Sequence, residues 1–94
     1  MSNVESVARI LNLTVKEVEK RALHALVREE LRRVRTEKVS ILARYGLKDF
    51  NELWRRIEDG TIDDTVAHDD IAKLDYLEYK ERELEKILRD LKEK

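Results

Sequence analysis

The chain has 94 residues, of which 41% are hydrophobic and 44% are charged, and its formal net charge is −1. This length supports one domain with a small core, and this charge content excludes a thick multilayer fold. Cysteine is absent, so disulfides and thiolate chemistry are excluded. No stretch approaches the roughly 20 apolar residues of a membrane span, and no secretory signal pattern is visible, so we expect a soluble cytoplasmic protein. Abundant Glu, Lys and Arg without glutamine favour a thermophilic source.

The chain begins with the pattern of a short helix and a turn. Ser2 or Asn3 can cap a helix over about 4–12, because their side-chain oxygens accept hydrogen bonds from amides of the first turn. Thr14 and Glu17 then have the spacing of a capping box, in which each side chain accepts from the other residue's backbone amide. A new helix is therefore predicted to begin directly after Thr14.

This second helix is predicted over about 15–45, since no breaker precedes Gly46. Its apolar residues form two stripes, rotated by about 150° from each other. The longer stripe, which Lys38 interrupts, comprises Leu23, Val27, Leu31, Val34, Ile41 and Tyr45. The other comprises Val15, Val18, Ala22 and Ala25. One helix cannot cover both stripes, so we expect the first helix on one side and the last helix on the other.

A compact bend follows the second helix. Asp49 and Glu52 predict another capping box, which opens a short helix over about 50–58. Its apolar residues recur at i, i+3, i+4 and i+7 and are Phe50, Leu53, Trp54 and Ile57. We interpret this helix as a hydrophobic plug, and an exposed Trp54 that binds a partner is the alternative.

The last helix is predicted over about 66–92, with Glu81 interrupting its apolar seam. The seam residues are Ile71, Leu74, Leu77, Leu84, Leu88 and Leu91. The two long helices have similar lengths and a short link, which predicts an antiparallel hairpin. The predicted fold class is all-α. It forms a single domain over 1–94, with the short helix and turn in 1–14 and the hairpin in 15–94.

Several apolar residues remain without a predicted partner inside one chain. Tyr76, Tyr79 and Ile87 lie on the face of the last helix opposite its seam, where tyrosines suit an interface. Tyrosines lying over neighbouring Lys and Glu stems are the alternative. We expect a homodimer, a four-helix bundle, because a lone hairpin has little core. Its expected interface, which could instead contact another protein, comprises Val15, Val18, Ala22, Ala25, Leu26, Tyr76, Tyr79 and Ile87.

Charge is distributed unevenly along the chain. Residues 1–48 hold 11 Lys/Arg and 6 Asp/Glu, for +5, and residues 49–94 hold 9 and 15, for −6. The two halves can neutralise each other in a hairpin, and a basic face left free for nucleic acid is the alternative. A basic cluster in the second helix is expected to pair with carboxylates of the last helix; it comprises Arg28, Arg32, Arg33 and Arg35.

Catalytic and metal-binding patterns are weak. His24 lies in an apolar belt and is expected to pack, and the carboxylates around His68 suit the first turn of a helix without matching a calcium or zinc pattern. Neither glycine has the placement of a phosphate-binding loop. We therefore expect no enzyme activity, cofactor, metal or small-molecule substrate.

The first two helices have the spacing of a helix-turn-helix, which binds DNA. The matching residues are Val7, Ala8, Leu11, Asn12, Leu13 and Val18. The would-be recognition helix begins at Thr14 and offers Lys16 and Lys20 to DNA, whereas Glu17 and Glu19 are unfavourable beside phosphates.

Residues 44–88 resemble antitoxin components of archaeal and bacterial toxin–antitoxin modules. The matching elements are Tyr45-Gly46, Phe50 with Leu53, Ile57 with Gly60, Asp69-Asp70 and the acidic, leucine-bearing last helix. The resemblance implies binding and silencing of a ribonuclease-like toxin. The leading hypothesis is a non-enzymatic, antitoxin-like module that masks a partner protein. A helix-turn-helix regulator is the alternative, followed by a structural oligomerisation unit.

Overall fold

The structure is a computed structural model that describes residues 2–93, with side chains described up to residue 92. Within this range the chain forms no strand and four helices, which are α1 (Asn3–Leu11), α2 (Val15–Ala43), α3 (Phe50–Glu58) and α4 (Asp64–Glu93). The predicted all-α class and the pairing of two long helices are confirmed. Residues 44–46 form a turn, so α2 ends earlier than predicted.

Local hydrogen bonds set the N-termini of the first two helices. Ser2 and Glu5 form a capping box at α1. Thr14 and Glu17 form the predicted capping box at α2, in which the Glu17 amide donates to Thr14 Oγ1 at 3.0 Å and the Thr14 amide donates to Glu17 Oε1 at 3.1 Å. Because these bonds join residues three apart, the sequence alone determines where both helices begin.

The long helices α2 and α4 pack antiparallel. Ion pairs join Arg44 to Asp70 and Arg35 to Glu81, so residues further along α4 pair with residues nearer to the start of α2. The molecule is elongated, with extents of 60 × 23 × 17 Å. In the described part of the chain, no helix has both the length and the hydropathy that crossing a bilayer requires. We call the end at which α3 joins the long helices the closed end. The open end comprises α1, the first turns of α2 and the last turns of α4.

The hydrophobic core lies at the closed end. Its buried members are Val34, Ile41, Leu42, Leu47, Leu53, Leu74 and Leu77. Leu53 is 0% exposed, as the plug interpretation predicted for α3, whereas Trp54 remains 43% exposed beside Phe50. The Asp49 carboxylate caps α3 by accepting from the Asn51 amide at 2.7 Å, so the cap differs from the predicted capping box.

The two polar interruptions of the apolar seam meet each other. Lys38 Nζ lies 2.7 Å from carboxylate oxygens of both Glu81 and Glu78. Burial by itself lowers the pKa of Lys38, but the hydrogen bonds with Glu78 and Glu81 outweigh it and raise the pKa above its usual value. Burial likewise opposes ionisation of Glu81, but hydrogen bonds from Lys38 and Arg35 lower its pKa. The two interruptions therefore hold the register of α2 against α4.

The open end buries little apolar surface. Among the described residues, Ala8 is the one buried apolar side chain before Leu31. Leu23 and Leu26 are 52% and 60% exposed, so the prediction that two helices cover α2 on both sides here is wrong. Among the ion pairs that join α2 to α4, the one nearest to the N-terminus of α2 involves Glu30. Leu23 and Leu26 therefore lie N-terminal to the segment of α2 that these pairs hold against α4.

Candidate nucleic-acid interface

The open end contains a helix–turn–helix arrangement. α1 and α2 are joined by the three residues 12–14 and contact each other. Ala8 is 5% exposed, and Val18 is partly buried. Asn12 has φ +56°, a left-handed conformation that Asn tolerates better than most residues. A small residue at the crossing, a left-handed turn residue and an apolar anchor on the second helix are the local requirements of this motif.

The predicted DNA contacts lie at the start of α2. Thr14, Lys16 and Lys20 are all exposed. Glu17, which the sequence placed near phosphates, is engaged in the capping box, where hydrogen bonds with Thr14 lower its pKa. The Glu17 carboxylate thus caps the N-terminus of α2. Glu19 is a second exposed acidic residue between the two lysines.

The position of α4 limits how much of α2 can meet DNA. Lys16 and Lys20 continue the helical stripe that carries Leu31 and Val34, both of which are buried in the hairpin. The face that would read DNA and the face that packs against α4 are therefore the same side of α2. The part of that side N-terminal to Leu31, where Lys16, Lys20 and Leu23 are exposed, is available to a ligand.

A groove runs along α2 at the open end and shares Lys20 and Leu31 with this face. It extends from Glu17 to Thr36, and Leu88 and Lys92 of α4 complete its lining. We call it the open-end groove. It contains Arg28, which has no carboxylate within 4.0 Å among the described residues. The groove brings basic residues of α2 together with Lys92 of α4.

The basic cluster of α2 has mixed partners. Arg35 pairs with Glu81 at 3.0 Å and with Glu85 at 3.4 Å, as predicted for the last helix. Arg32 and Arg33 instead pair with Glu29 on their own helix, at 2.6 and 3.4 Å. The prediction that the last helix neutralises this cluster is therefore wrong for Arg32 and Arg33, which pair within α2, and for Arg28, which forms no ion pair among the described residues.

The predicted interface residues form two separate patches. The patch on α2 has Val15, Ala22, Ala25 and Leu26 exposed, with Val18 partly buried. The patch on α4 has Tyr76, Tyr79 and Ile87, which are 53%, 54% and 45% exposed. The Lys73–Glu37 ion pair places Tyr76 near Glu37, about 16 Å along α2 from Leu26. Lys73 Nζ lies 5.9 Å from the Tyr76 ring centroid, the kind of contact that the alternative interpretation of the tyrosines predicted.

The two histidines have different surroundings. His24 is partly buried and lines the open-end groove, whereas His68 is exposed near the start of α4. Within the described residues, no group of three or more His, Cys, Asp or Glu side chains is arranged to hold a metal ion.

Sequence reasoning missed two features of this region. Arg21 and Lys92 line the open-end groove, although neither was predicted as a binding residue. The spacing of Arg21 and Arg28, seven residues apart, could have indicated one basic face of α2. Lys92 could not have been found this way, because only the tertiary packing places the end of α4 beside α2.

A family model matches residues 1–94, so the chain belongs to that family. It is described as the Uncharacterized protein MJ0235 family. No curated protein and no solved structure matches the chain. The resemblance to antitoxins remains a prediction from residues 44–88.

Proposed function

We propose that this protein binds duplex DNA through α1 and the first two turns of α2. The observation that carries the proposal is the combination of the buried Ala8, the left-handed Asn12 and the partly buried Val18. A small buried residue, a left-handed turn residue and an apolar anchor on the next helix are local features that a helix-turn-helix requires. These residues lie at the open end, whereas the hydrophobic core lies at the closed end.

The α2 N-terminus is suited to enter the major groove. Lys16 and Lys20 lie one turn apart on one exposed face, within reach of base edges such as O6 and N7 of guanine. The positive end of the α2 dipole also favours nearby phosphates. Because α4 covers the continuation of this face, we expect the helix to insert by its tip.

The proposal also includes a second copy of the chain, so that the DNA-binding form is a dimer. Helix-turn-helix proteins commonly read two half-sites as dimers. In the described part of the chain, no further helix covers a set of large apolar side chains on α1 and the first turns of α2. They are Val4, Val7, Ile10, Leu11, Val15, Leu23 and Leu26. A homodimer that joins through these residues buries them and supplies the missing support.

The experiment is selection of binding sequences from random duplexes, followed by measurement of affinities by fluorescence anisotropy. We expect selected sites to contain two half-sites about 34 Å apart, with guanines at the contacted positions. The variant Lys16→Ala/Lys20→Ala should reduce the preference for the selected over a scrambled duplex by roughly tenfold.

The matched control is Arg55→Ala/Arg56→Ala, which removes the same charge from exposed positions of α3 at the closed end. This control should keep the wild-type preference. Failure of the wild-type protein to enrich any sequence at low salt would overturn the proposal, as would an equal loss in both variants.

A second candidate function is masking of a partner protein, as the resemblance to antitoxins implies. The exposed apolar residues of the open end favour it, because patches of this kind also mark protein interfaces. The test is coexpression with the product of a neighbouring toxin-like reading frame. A stable complex that suppresses ribonuclease activity and is lost in Leu26→Glu supports masking, and independent elution of the two proteins counts against it.

A further inference from the structure

The open-end groove has an excess of basic side chains that the proposed recognition helix does not explain. Its six Lys and Arg residues are Lys20, Arg21, Arg28, Arg32, Arg35 and Lys92. Its carboxylates are Glu17 and Glu29 alone, among the lining residues that the structure describes. Both are already engaged, since Glu17 caps α2 and Glu29 accepts from Arg32 at 2.6 Å.

Four of the basic residues form no direct ion pair among the described residues, although Arg21 interacts electrostatically with Glu17. Lys20, Arg21, Arg28 and Lys92 have no carboxylate within 4.0 Å in the described part of the chain, where the ion pairs of α2 begin at Glu29. Leu31 and Leu88 add apolar surface to the groove lining. A groove with free guanidinium and ammonium groups over an apolar base suits a polyanion that also carries an apolar component, such as a sugar–phosphate strand.

The spacing of the basic residues agrees with such a strand. Arg21 and Arg28 are seven residues apart on α2, which is about 10.5 Å along the helix axis. Successive phosphates of one DNA strand rise by about 3.4 Å, so this distance spans about three nucleotides. Lys20 lies both in the groove and on the face that carries Lys16, so the groove is continuous with the proposed recognition surface.

We propose that the open-end groove holds the sugar–phosphate backbone of one DNA strand beside the major groove that α2 enters. This inference rests on the proposed function and extends it, because it assigns phosphate contacts to both long helices. In this arrangement Arg21 and Arg28 contact phosphates from α2, and Lys92 contacts the same strand from α4. The hairpin then acts as part of the binding site rather than as a support alone.

The experiment measures the affinity for the selected duplex and for a scrambled duplex over a range of KCl concentrations. Arg21→Ala/Arg28→Ala should weaken binding to both duplexes by a similar factor, because backbone contacts carry no sequence information. The slope of log affinity against log salt should become shallower by roughly 2 for this variant and roughly 1 for Lys92→Ala. Arg55→Ala/Arg56→Ala is the control of equal charge and should keep the wild-type slope.

The outcomes separate this inference from the proposed function. Wild-type protein that binds no duplex overturns both. Wild-type protein that binds selectively, with unchanged salt slopes in the groove variants, overturns the groove alone. A loss confined to the selected duplex also overturns it, because the groove then reads bases. If thermal melting shows that an alanine variant is unfolded, Arg21→Gln/Arg28→Gln replaces it with the same expected slope.

Discussion

The two ends of this molecule differ in how much of their apolar surface is buried. At the closed end, Leu53, Leu74 and Leu77 are almost completely buried between α2, α3 and α4. At the open end, Ile10 is 78% exposed and Leu26 is 60% exposed, although both are as apolar as the core residues. The difference arises because the side chains of α2, α3 and α4 meet at the closed end, whereas α1 and the last turns of α4 leave Ile10 and Leu26 uncovered at the open end.

The difference between the two ends indicates which end stabilises the fold and which end we propose as the binding site. Burial of a large apolar side chain contributes about 1.5–3 kcal/mol, so the closed end supplies most of the free energy of folding. Exposed apolar side chains contribute little to folding of a single chain, and patches of them are typical of binding surfaces, which is the role that we propose for the open end. The proposed helix-turn-helix and the open-end groove both lie there.

The largest expected effect is on the closed end. Leu74→Ala should lower the free energy of unfolding by about 2–5 kcal/mol, because it leaves a cavity where the side chain is fully buried. Val66→Ala, at a position that is 71% exposed, is the control and should change stability by less than about 0.5 kcal/mol. Urea unfolding followed by circular dichroism measures both. Similar losses in the two variants would show that the closed end does not hold the core.

The open end should govern self-association. Leu26→Glu should convert the expected dimer to a monomer in sedimentation-velocity experiments, because a carboxylate cannot be buried there without a partner. Val66→Glu, which adds the same charge outside this patch, should leave the dimer intact. Wild-type protein that sediments as a stable monomer would refute the dimer.

The tyrosine patch gives the competing prediction for the same interface. Tyr76→Ala/Tyr79→Ala should weaken association by more than about 1 kcal/mol if those rings form the interface. Unchanged association, with loss in Leu26→Glu, would assign the interface to the open end alone.

The turn between α1 and α2 should show a smaller effect. Asn12→Ala should destabilise the protein by about 1–2 kcal/mol, because φ +56° is unfavourable for a residue with a Cβ atom and no local hydrogen-bonding group. Asn12→Gly, which adopts this conformation without that cost, should retain stability. Thermal melting of both variants, together with DNA affinity, tests whether the turn geometry matters for binding. Equal stability of the two variants would contradict the left-handed turn.

The smallest expected effect concerns pH. The pKa of Glu81 is lowered in the folded state, so its contribution is present above its ordinary value of 4.5 and is lost as pH falls through the folded pKa. The pKa of Lys38 is raised, so its contribution is present below 10.5 and is lost as pH rises through the folded pKa. The free energy of unfolding should therefore decrease by about 1 kcal/mol below about pH 4.5 and again above about pH 10.5.

The variant Glu81→Gln tests whether the Lys38–Glu81 pair, rather than another carboxylate of α4, causes the loss of stability in acid. The variant should lose stability at neutral pH and show a weaker decrease on acidification, measured as the melting temperature over pH 3–7. An acid-induced decrease of wild-type size in Glu81→Gln would assign the pH dependence to other groups.

Local features of this protein were determined by the sequence alone. Thr14 caps α2 as predicted, and Ser2, one of the two predicted candidates, caps α1, because a capping bond involves residues only three apart. The long apolar repeats predicted the hairpin, since a stripe with helical period needs a partner helix of similar length. The helix-turn-helix spacing was likewise visible, because Ala8, Asn12 and Val18 lie within eleven residues.

Only the tertiary structure decided which of these residues are covered. The register of α2 against α4 joins Lys38 to Glu81, leaves Leu23 and Leu26 exposed, and brings Lys92 to the open-end groove. Trp54 has the helical spacing of a core residue, yet it lies outside the core because α3 turns Leu53 inward. Periodicity gives the face on which a residue lies but not where along that face the partner helix ends. That limit depends on contacts between residues more than forty positions apart in the chain.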